Sequence, residues 1–309
     1  MKNYLIYDVG GSSIKYAVMN EEEILTKGKT KTPTNNMEDF MDAIGDIYNE
    51  FKSDISGVAF SMPGIIDSST GYAVHGGSLE FIHQMNLKEK LEEKIDRTIV
   101  IENDGKSAAL GEVWKGKLHG IKDGIALIIG TGIGGGVIAN GQLIKGHHLA
   151  AGEFSMIRTD GQSPLAKDKV FANKGSAVKL VKRAAEALGE DPKHYSGIEF
   201  FKEIKAGNQK AEELFSQYCQ TIAAQIMNFQ TMFDPELIVI GGGMSEEPLF
   251  VKGIQQAVNH LFAEDFMTEI NGFQANVVQS ELGNEANLYG ALYQYLLKTN
   301  QKDIADNFE

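Results

Sequence analysis

The chain has 309 residues, which is long enough for two domains that each have a hydrophobic core. Hydrophobic residues make up 42% of it and charged residues 23%, a composition typical of soluble globular proteins. The net charge of −13 argues against a nucleic-acid partner, which calls for a basic surface, but allows a nucleotide held by local donors.

Secretion and membrane insertion are not expected. No apolar run approaches the roughly 20 residues that span a bilayer, and the apolar stretch near the N-terminus leads directly into a glycine turn. Cys219 is the only cysteine, so one chain can form neither a disulfide nor a cysteine-based zinc site. These features predict a cytoplasmic protein.

The hydrophobic pattern predicts an α/β protein. Short apolar runs predict strands at residues 5–9, 16–19, 58–61, 126–129, 137–138 and 237–240. Helical spacing predicts helices at residues 38–52, 106–115, 176–188, 210–232, 247–258 and 284–298.

Two segments share one plan: an apolar strand, a tight glycine turn and a second apolar strand. They are LIYDVGGSSIKYAVM (5–19) and ALIIGTGIGGGVIANG (126–141). The repetition favours two related α/β domains that face each other across a cleft. The alternative is that β-hairpins are common and two of them look alike by chance.

The second glycine turn contains G-x-G-x-x-G at residues 130–135, a pattern that dinucleotide-binding folds place between a strand and a helix. Here Val137, Ile138 and the turn Asn140-Gly141 follow, so such a site is not expected. A glycine hairpin can instead bring backbone N–H groups close to a phosphate. For one glycine cluster taken alone, an ordinary tight turn remains the alternative.

Polar residues beside the first turn suit a phosphate and its cation. Ser12, Ser13 and Lys15 follow the turn, and Thr131 lies in the second turn. Asp8 ends a strand, where a carboxylate can hold Mg²⁺ directly or through water. A third cluster, residues 241–243, either leaves room for adenine or ribose or begins the turn into the next helix.

Asp104 directly precedes a predicted helix, and an aspartate in this place is commonly the helix N-cap. It is also where a general base could orient a hydroxyl and accept its proton in phosphoryl transfer from ATP. The two roles can coexist if Asn103 or Ser107 shares the capping.

Together these segments resemble the ROK sugar kinases, members of the sugar kinase, actin and heat-shock chaperone superfamily. The similar segments occur in the family's order: DVGGSSIK (8–15), SMPGIID (61–67), ENDGKSAALGE (102–112), IGTGIGGGVIANGQLIKGHHLAAGE (129–153), VIGGGMS (239–245) and ELGNEANLYGALY (281–293). The resemblance implies two actin-like (ribonuclease H-like) domains, residues 1–115 with helix 288–305 and residues 116–287, with ATP and sugar between them. It also implies a homodimer and ATP-dependent phosphorylation of a sugar hydroxyl, the 6-OH being expected.

The resemblance also implies roles for single residues. Asp104 corresponds to the catalytic base, and Gly64, Asn103 and Glu153 correspond to sugar-binding positions. The positions that correspond to ATP and Mg²⁺ binding are Asp8, Gly10, Gly11, Ser12, Lys15, Thr131, Gly132, Gly242 and Gly243, with Asp8 as the Mg²⁺ ligand, directly or through water.

The chain departs from the family pattern after Glu153. The usual G-E-I-G-H is Gly152-Glu153-Phe154-Ser155-Met156 here, and residues 161–177 contain none of the family's zinc-binding cysteines. The family's later sugar-binding glutamate falls near Val170. The pair at 147–148, two histidines without a cysteine, is a poor tetrahedral set, so a zinc-free protein is expected.

With fewer polar anchors, we expect an acceptor other than free glucose: a β-glucoside, a disaccharide or an N-acetyl hexosamine. A transcriptional repressor of the same family is not expected, because only seven residues precede Asp8 and the charge is acidic. A sugar- or nucleotide-binding protein that has lost catalysis is the remaining alternative.

Overall fold

A computed structural model describes residues 1–161 and 169–308. The chain divides into two compact units: the first comprises Met1–Gly120, Gly141–Ala151 and Glu285–Glu309, and the second comprises Ile121–Asn140 and Gly152–Asn284. Compared with the predicted domain boundaries, residues 116–120, 141–151 and 285–287 belong to the first unit rather than to the second. Each helix in the described ranges is too short or too polar to cross a membrane.

The described residues form the following elements. The strands are β1 Tyr4–Val9, β2 Ser13–Met19, β3 Ile24–Lys31, β4 Gly57–Met62, β5 Ile65–Asp67, β6 Tyr72–His75, β7 His83–Asn86, β8 Ile99–Asn103, β9 Gly124–Ile129, β10 Ile133–Ala139, β11 Gln142–Ile144, β12 Leu237–Gly241 and β13 Val277–Gln279. The helices are α1 Met37–Phe51, α2 Leu87–Glu92, α3 Asp104–Lys115, α4 Phe171–Lys174, α5 Ala177–Leu188, α6 Gly197–Lys205, α7 Gln209–Phe233, α8 Pro248–Ala263, α9 Phe266–Asn271 and α10 Ala286–Lys298.

The first unit is built on a five-stranded sheet in the order β3-β2-β1-β4-β8. β1 pairs with β2 in antiparallel fashion and with β4 in parallel fashion, and β4 is parallel to β8. Every residue of β1 and β4 is buried, as expected for strands covered on both faces. In this register Asp8, Ser61 and Glu102 lie side by side at the carboxyl ends of the three parallel strands.

Helices α3 and α10 of this unit pack with their backbones close together, and glycines make that approach feasible. A Cβ atom at Gly290 would lie 1.6 Å from the carbonyl oxygen of Ser107, and one at Gly111 would lie 2.2 Å from that of Ala286. The ring of Trp114 on α3 stacks on that of Tyr293 on α10, with centroids 5.4 Å apart. The contact fixes α3, whose first residue is Asp104, against the sheet.

The second unit has a sheet in which β10, β9, β12 and β13 follow one another. β10 is antiparallel to β9, and β9, β12 and β13 are parallel. This is the connectivity of β2, β1, β4 and β8, so the two hairpins that look alike in the sequence open two sheets of one topology. Strand β10 runs directly from the G-x-G-x-x-G turn, where a dinucleotide-binding fold would have a helix.

The sequence prediction lacks several elements of the first unit, among them strand β3 and a small sheet. Strand β3 is a largely exposed edge strand with sequence ILTKGKTK, which lacks the apolar alternation of a half-buried strand. The small antiparallel sheet β5-β6-β7 consists of strands of three or four residues, too short for a recognisable period.

Candidate active site

The hydrogen bonds at the start of α3 show which residue is its N-cap. The N-cap is Asn103, whose side-chain oxygen accepts a hydrogen bond of 3.0 Å from the backbone N–H of Lys106. Asp104 is the first helical residue, so of the residues that the sequence offered for the cap it is Asn103 that caps α3. Capping of α3 therefore does not use the Asp104 carboxylate.

The Asp104 carboxylate is half-buried, and its Oδ1 atom is oriented by hydrogen bonds. Its Oδ1 atom accepts hydrogen bonds from the backbone N–H of Gly105 at 2.8 Å and from the Asn103 side-chain amide at 3.1 Å. The positive end of the α3 dipole favours a negative charge in this place. Asp104 is therefore an oriented carboxylate directly after β8.

The amide of Asn103 also joins this carboxylate to Gly64. It donates a hydrogen bond of 2.8 Å to the Gly64 carbonyl oxygen. Gly64 has φ +98°, and a Cβ atom there would lie 2.0 Å from the carbonyl oxygen of His75, so only glycine fits. Three of the predicted site residues, Gly64, Asn103 and Asp104, thus lie in one hydrogen-bonded group.

Asp8 forms a second polar group in the same unit. Its Oδ1 atom accepts hydrogen bonds from the Ser61 hydroxyl at 3.1 Å and from the Asn287 amide at 3.0 Å. Its Oδ2 atom lies 3.4 Å from Nζ of Lys15, which faces it across the hairpin and is 40% exposed. An oriented carboxylate next to a half-exposed hairpin is chemically suited to Mg²⁺, held through water. In the described parts of the chain, no three His, Cys, Asp or Glu side chains cluster as a metal site.

The first glycine turn contains Gly10, Gly11 and Ser12. The N–H of Gly10 bonds the carbonyl of Ser13 at 2.9 Å and closes the turn. Thr32, which is buried, donates its hydroxyl to the carbonyl of Gly10 and its N–H to that of Ser12. Because these carbonyl groups are turned toward Thr32, the turn has a fixed orientation.

The second glycine turn is held in a similar way by the start of α5. The hydroxyl of Ser176 donates to the carbonyl of Thr131 at 2.7 Å, and the N–H of Ala177 donates to that of Gly130 at 3.1 Å. A Cβ atom at Gly130 or Gly132 would meet no described atom within 4 Å. Packing within the second unit therefore does not require glycine at either position, whereas close approach of a ligand would.

A cavity of about 480 Å³ in the second unit adjoins this turn. Thr131 and Gly243 line it, whereas Gly242 is explained by the backbone: its φ is +99°, and a Cβ atom would lie 2.1 Å from the Ile129 carbonyl oxygen. The remaining lining residues are Ile129, Gly130, Ala177, Val178, Val181, Lys182, Pro192, Tyr195, Ser196, Gly197 and Met244. The cavity is mainly apolar with a few polar groups, which suits a heteroaromatic ring.

Tyr195 is the polar group of this cavity that stands out. Its hydroxyl is buried and, within the described residues, has no hydrogen-bond partner. Burial raises the pKa of the hydroxyl, so it stays a neutral donor near neutral pH. A buried hydroxyl without a hydrogen-bond partner costs free energy unless a ligand forms a hydrogen bond with it.

Glu153 lies in the second unit, half-buried, directly before the 3-10 helix Phe154–Met156. Met156, where the family pattern has histidine, is 58% exposed. Val170 pairs with Arg158 through an isolated β-bridge. Residues 162–168 of the segment that replaces the zinc motif lie outside the described residues, so the absence of zinc stays a prediction.

The sequence reasoning missed several residues of these groups. Ser176 has a recognisable signal, since it is a serine directly before a helix. Ser61, Asn287 and Tyr195 have none, because their importance comes from strand register and from helices distant in the sequence.

Comparison with known proteins places the chain in a family. The family model described as "ROK family" matches residues 4–298. The chain belongs to the ROK family. Among ROK relatives, a β-glucoside kinase of Listeria monocytogenes is 30% identical over 300 residues, which cover 96% of this chain and 98% of that one.

Solved ROK structures have the same fold. A ROK family protein from Streptococcus pneumoniae TIGR4 in complex with sucrose has a TM-score of 0.85 and 28% identity, covering 97% of this chain and 100% of that one. A ROK family glucokinase from Streptomyces griseus in complex with glucose and AMPPNP has a TM-score of 0.81 and 26% identity, covering 94% and 97%. The predicted family and the predicted fold of two actin-like (ribonuclease H-like) domains are confirmed.

Proposed function

We propose that this protein is an ATP-dependent sugar kinase that transfers the γ-phosphoryl group to a hydroxyl, the 6-OH, of a hexose derivative. The observation that carries the proposal is the Asp104 carboxylate, oriented at the start of α3 beside an Asn103 amide that is fixed to Gly64. Membership of the ROK family and the kinase names of its relatives support the same reaction.

Asp104 acts as the general base. It orients the acceptor hydroxyl and takes its proton as the oxygen attacks the γ-phosphorus, which contributes about 10²- to 10⁴-fold to the rate. Asn103, Gly64 and Glu153 bind the sugar and hold its hydroxyl toward this carboxylate. Since phosphoryl transfer depends mostly on positioning and charge stabilisation, the rigid Asn103–Gly64 link is a functional requirement.

ATP binds through the two glycine turns and the cavity of the second unit. The turns with Gly10, Gly11 and Ser12 and with Thr131 and Gly132 bring backbone N–H groups to the phosphates, and Lys15 adds a positive charge. Gly242 and Gly243 border the adenosine, whose base occupies the 480 Å³ cavity. A donor or acceptor on the base completes the unpaired Tyr195 hydroxyl.

Mg²⁺ is the cation that this chemistry calls for, and the Asp8 carboxylate would hold it through water. When bound, it neutralises phosphate charge. Ser61 and Asn287 fix the carboxylate at one oxygen and leave the other toward Lys15. Nothing in the reaction calls for zinc, and residues 154–177 contain no cysteine.

The acceptor is a β-glucoside, a disaccharide or an N-acetyl hexosamine in preference to glucose. Met156 in place of a histidine removes a polar anchor of the sugar site. The relative named as a β-glucoside kinase and the related protein crystallised with sucrose support acceptors larger than a free hexose. We also propose that the protein is cytoplasmic and that it forms a homodimer. Light scattering would measure the molar mass of the homodimer.

An acceptor panel tests the function. Cellobiose, gentiobiose, salicin, N-acetylglucosamine, N-acetylmannosamine and glucose would be supplied with ATP and Mg²⁺, with ADP release measured and the product position read by ³¹P and ¹³C NMR. The highest kcat/KM is expected for a derivatised sugar, phosphorylated at the 6-OH. The highest value for glucose would refute the acceptor class. Binding of ATP and sugar without any product would favour the non-catalytic alternative.

A further inference from the structure

Glu102 is a fully buried carboxylate that the proposed reaction does not use directly. It lies on β8, two residues before Asp104 in the chain. In the parallel register it stands next to Ser61, which stands next to Asp8. The row is covered by α10, where Asn287 bonds Asp8 and Gln294 bonds Glu102.

Both oxygen atoms of Glu102 are engaged. Oε1 accepts a hydrogen bond of 2.9 Å from the backbone N–H of Asn103. Oε2 accepts one of 2.9 Å from the Gln294 amide and forms an ion pair with Nζ of Lys145. The Glu102 carboxylate therefore connects the backbone N–H of Asn103, the residue before Asp104, with helix α10 and with the ammonium group of Lys145.

Lys145 links this carboxylate to a loop. Its ammonium group also donates to the Ser68 hydroxyl, and its carbonyl accepts a hydrogen bond of 3.1 Å from the N–H of Ala151, which closes residues 145–151 into a loop. Gly146 at φ +74° and Leu149 at φ +60° give the loop a defined, partly left-handed backbone. The loop is thus linked to β8 by an ion pair whose carboxylate is buried and whose lysine is 26% exposed.

We propose that Glu102 and Lys145 are positioning residues for phosphoryl transfer, an inference that rests on the proposed kinase function. The Glu102 carboxylate fixes the Asn103 peptide, and this sets the direction in which the Asn103 amide reaches Gly64 and Asp104. Lys145 supplies the charge without which a buried carboxylate would not keep this geometry. Loss of either residue lets the Asn103–Asp104 pair shift against the sugar.

The alternative is an ion pair that stabilises the fold and nothing else. The two roles differ in which kinetic constant changes. Misplacement of the acceptor by about 1 Å is expected to lower kcat/KM for the sugar by about 10- to 100-fold, while KM for ATP stays the same. A purely structural role lowers the folded fraction and leaves both KM values of the folded enzyme unchanged.

The test uses Glu102→Gln, Lys145→Met and the double variant in the full chain. In Glu102→Gln, the new amide oxygen can still accept a hydrogen bond from the N–H of Asn103, but the new NH₂ group faces the donor groups of Lys145 and Gln294. In Lys145→Met, the Glu102 carboxylate keeps its charge but loses the positive charge beside it. Each single variant should lose about 10- to 100-fold in kcat/KM for the sugar. The double variant, which removes both charges, should recover at least about tenfold of that loss.

Two controls separate positioning from stability. Ile44→Ala in the core of the first unit lowers Tm without touching the strand end, and Lys94→Met breaks an exposed ion pair with Asp42. The positioning role alone would be overturned if the single variants had the same kcat/KM for the sugar as these controls. It would also be overturned if the double variant recovered none of the lost kcat/KM. A wild-type protein that phosphorylates no sugar of the panel would overturn the kinase function and this inference with it.

Discussion

The side-chain amide of Asn103 lies 2.8 Å from the carbonyl oxygen of Gly64 and donates a hydrogen bond to it. The same side chain caps α3 through its oxygen atom and touches the Asp104 carboxylate through its nitrogen. One asparagine thereby joins a strand end, a helix start and a turn that only glycine can form. This arrangement ties Asp104 to the backbone of the turn at Gly64 and to the start of α3.

Asp104→Asn should lower kcat by about 10²- to 10⁴-fold, because the amide keeps the hydrogen bond to Gly105 but cannot accept a proton. Tm and the Kd for the sugar should change little, since Asn103 retains the cap. Asp39→Asn, also an acidic residue in a first helical turn, is the matched control and should keep full activity. ADP release, thermal unfolding and calorimetric sugar binding measure the three quantities. A loss of kcat below about fivefold would contradict the role as base.

Gly132→Ala should change KM for ATP, whereas Gly242→Ala should change the thermal stability. A Cβ atom at Gly132 meets no described atom within 4 Å, so Tm should stay the same while KM for ATP rises as the methyl group meets the phosphates. At Gly242 the Cβ atom would lie 2.1 Å from the Ile129 carbonyl oxygen, and φ is +99°, so Tm should fall. Thermal unfolding with and without ATP, together with KM for ATP, separates the two. An unchanged KM in Gly132→Ala would exclude this turn from phosphate binding.

Much of the fold follows from the sequence pattern because glycine turns and apolar strands leave local signals. The two hairpins at β1-β2 and β9-β10 and the start of α3 are of this kind. Strand β3 was missed because an edge strand rich in lysine and threonine carries no burial pattern. The sequence left the cap of α3 open between Asp104, Asn103 and Ser107, because neighbouring residues of capping type cannot be ranked from residue type alone.

The polar network was beyond prediction for a different reason. Asp8, Ser61 and Glu102 become neighbours only through strand register. Helix α10 bonds two of them from far along the chain: Asn287 is 279 residues from Asp8, and Gln294 is 192 residues from Glu102. Tyr195 lines a cavity through the packing of the segment before α6. Such contacts depend on tertiary structure, which a single sequence does not specify locally.

Gly290→Ala should destabilise the protein strongly. The added Cβ atom would lie 1.6 Å from the Ser107 carbonyl oxygen, so α3 and α10 must separate and lose close packing. A loss of about 3 kcal/mol in unfolding free energy is expected, at the upper end of the range for overpacked cores. Gly45→Ala on α1 is the control: its Cβ atom makes an ordinary contact of 3.5 Å with Lys94, and the better helix propensity of alanine should stabilise by up to about 1 kcal/mol. Urea unfolding of both variants measures this, and equal midpoints would contradict it.

Tyr195→Phe should raise KM for ATP by about 2- to 10-fold, the loss expected for one neutral hydrogen bond. Because the hydroxyl has no partner within the described residues, Tm in the absence of ATP should stay the same or rise. KM for the sugar should not change. Tyr72→Phe, which alters an exposed tyrosine, is the control. A fall in Tm without a change in KM for ATP would show that the hydroxyl serves the fold instead.

Cys219 should be inert toward thiol reagents in the folded protein. It is buried on α7, and burial raises the pKa of its thiol to about 12, so the thiol is almost entirely protonated at pH 8. Labelling by Ellman's reagent should therefore follow unfolding, accelerating in urea and slowing when ATP and sugar stabilise the native state. An exposed thiol introduced by Ser53→Cys should label within minutes and serves as the control. Labelling of Cys219 at the rate of that control in the absence of urea would refute its burial on α7.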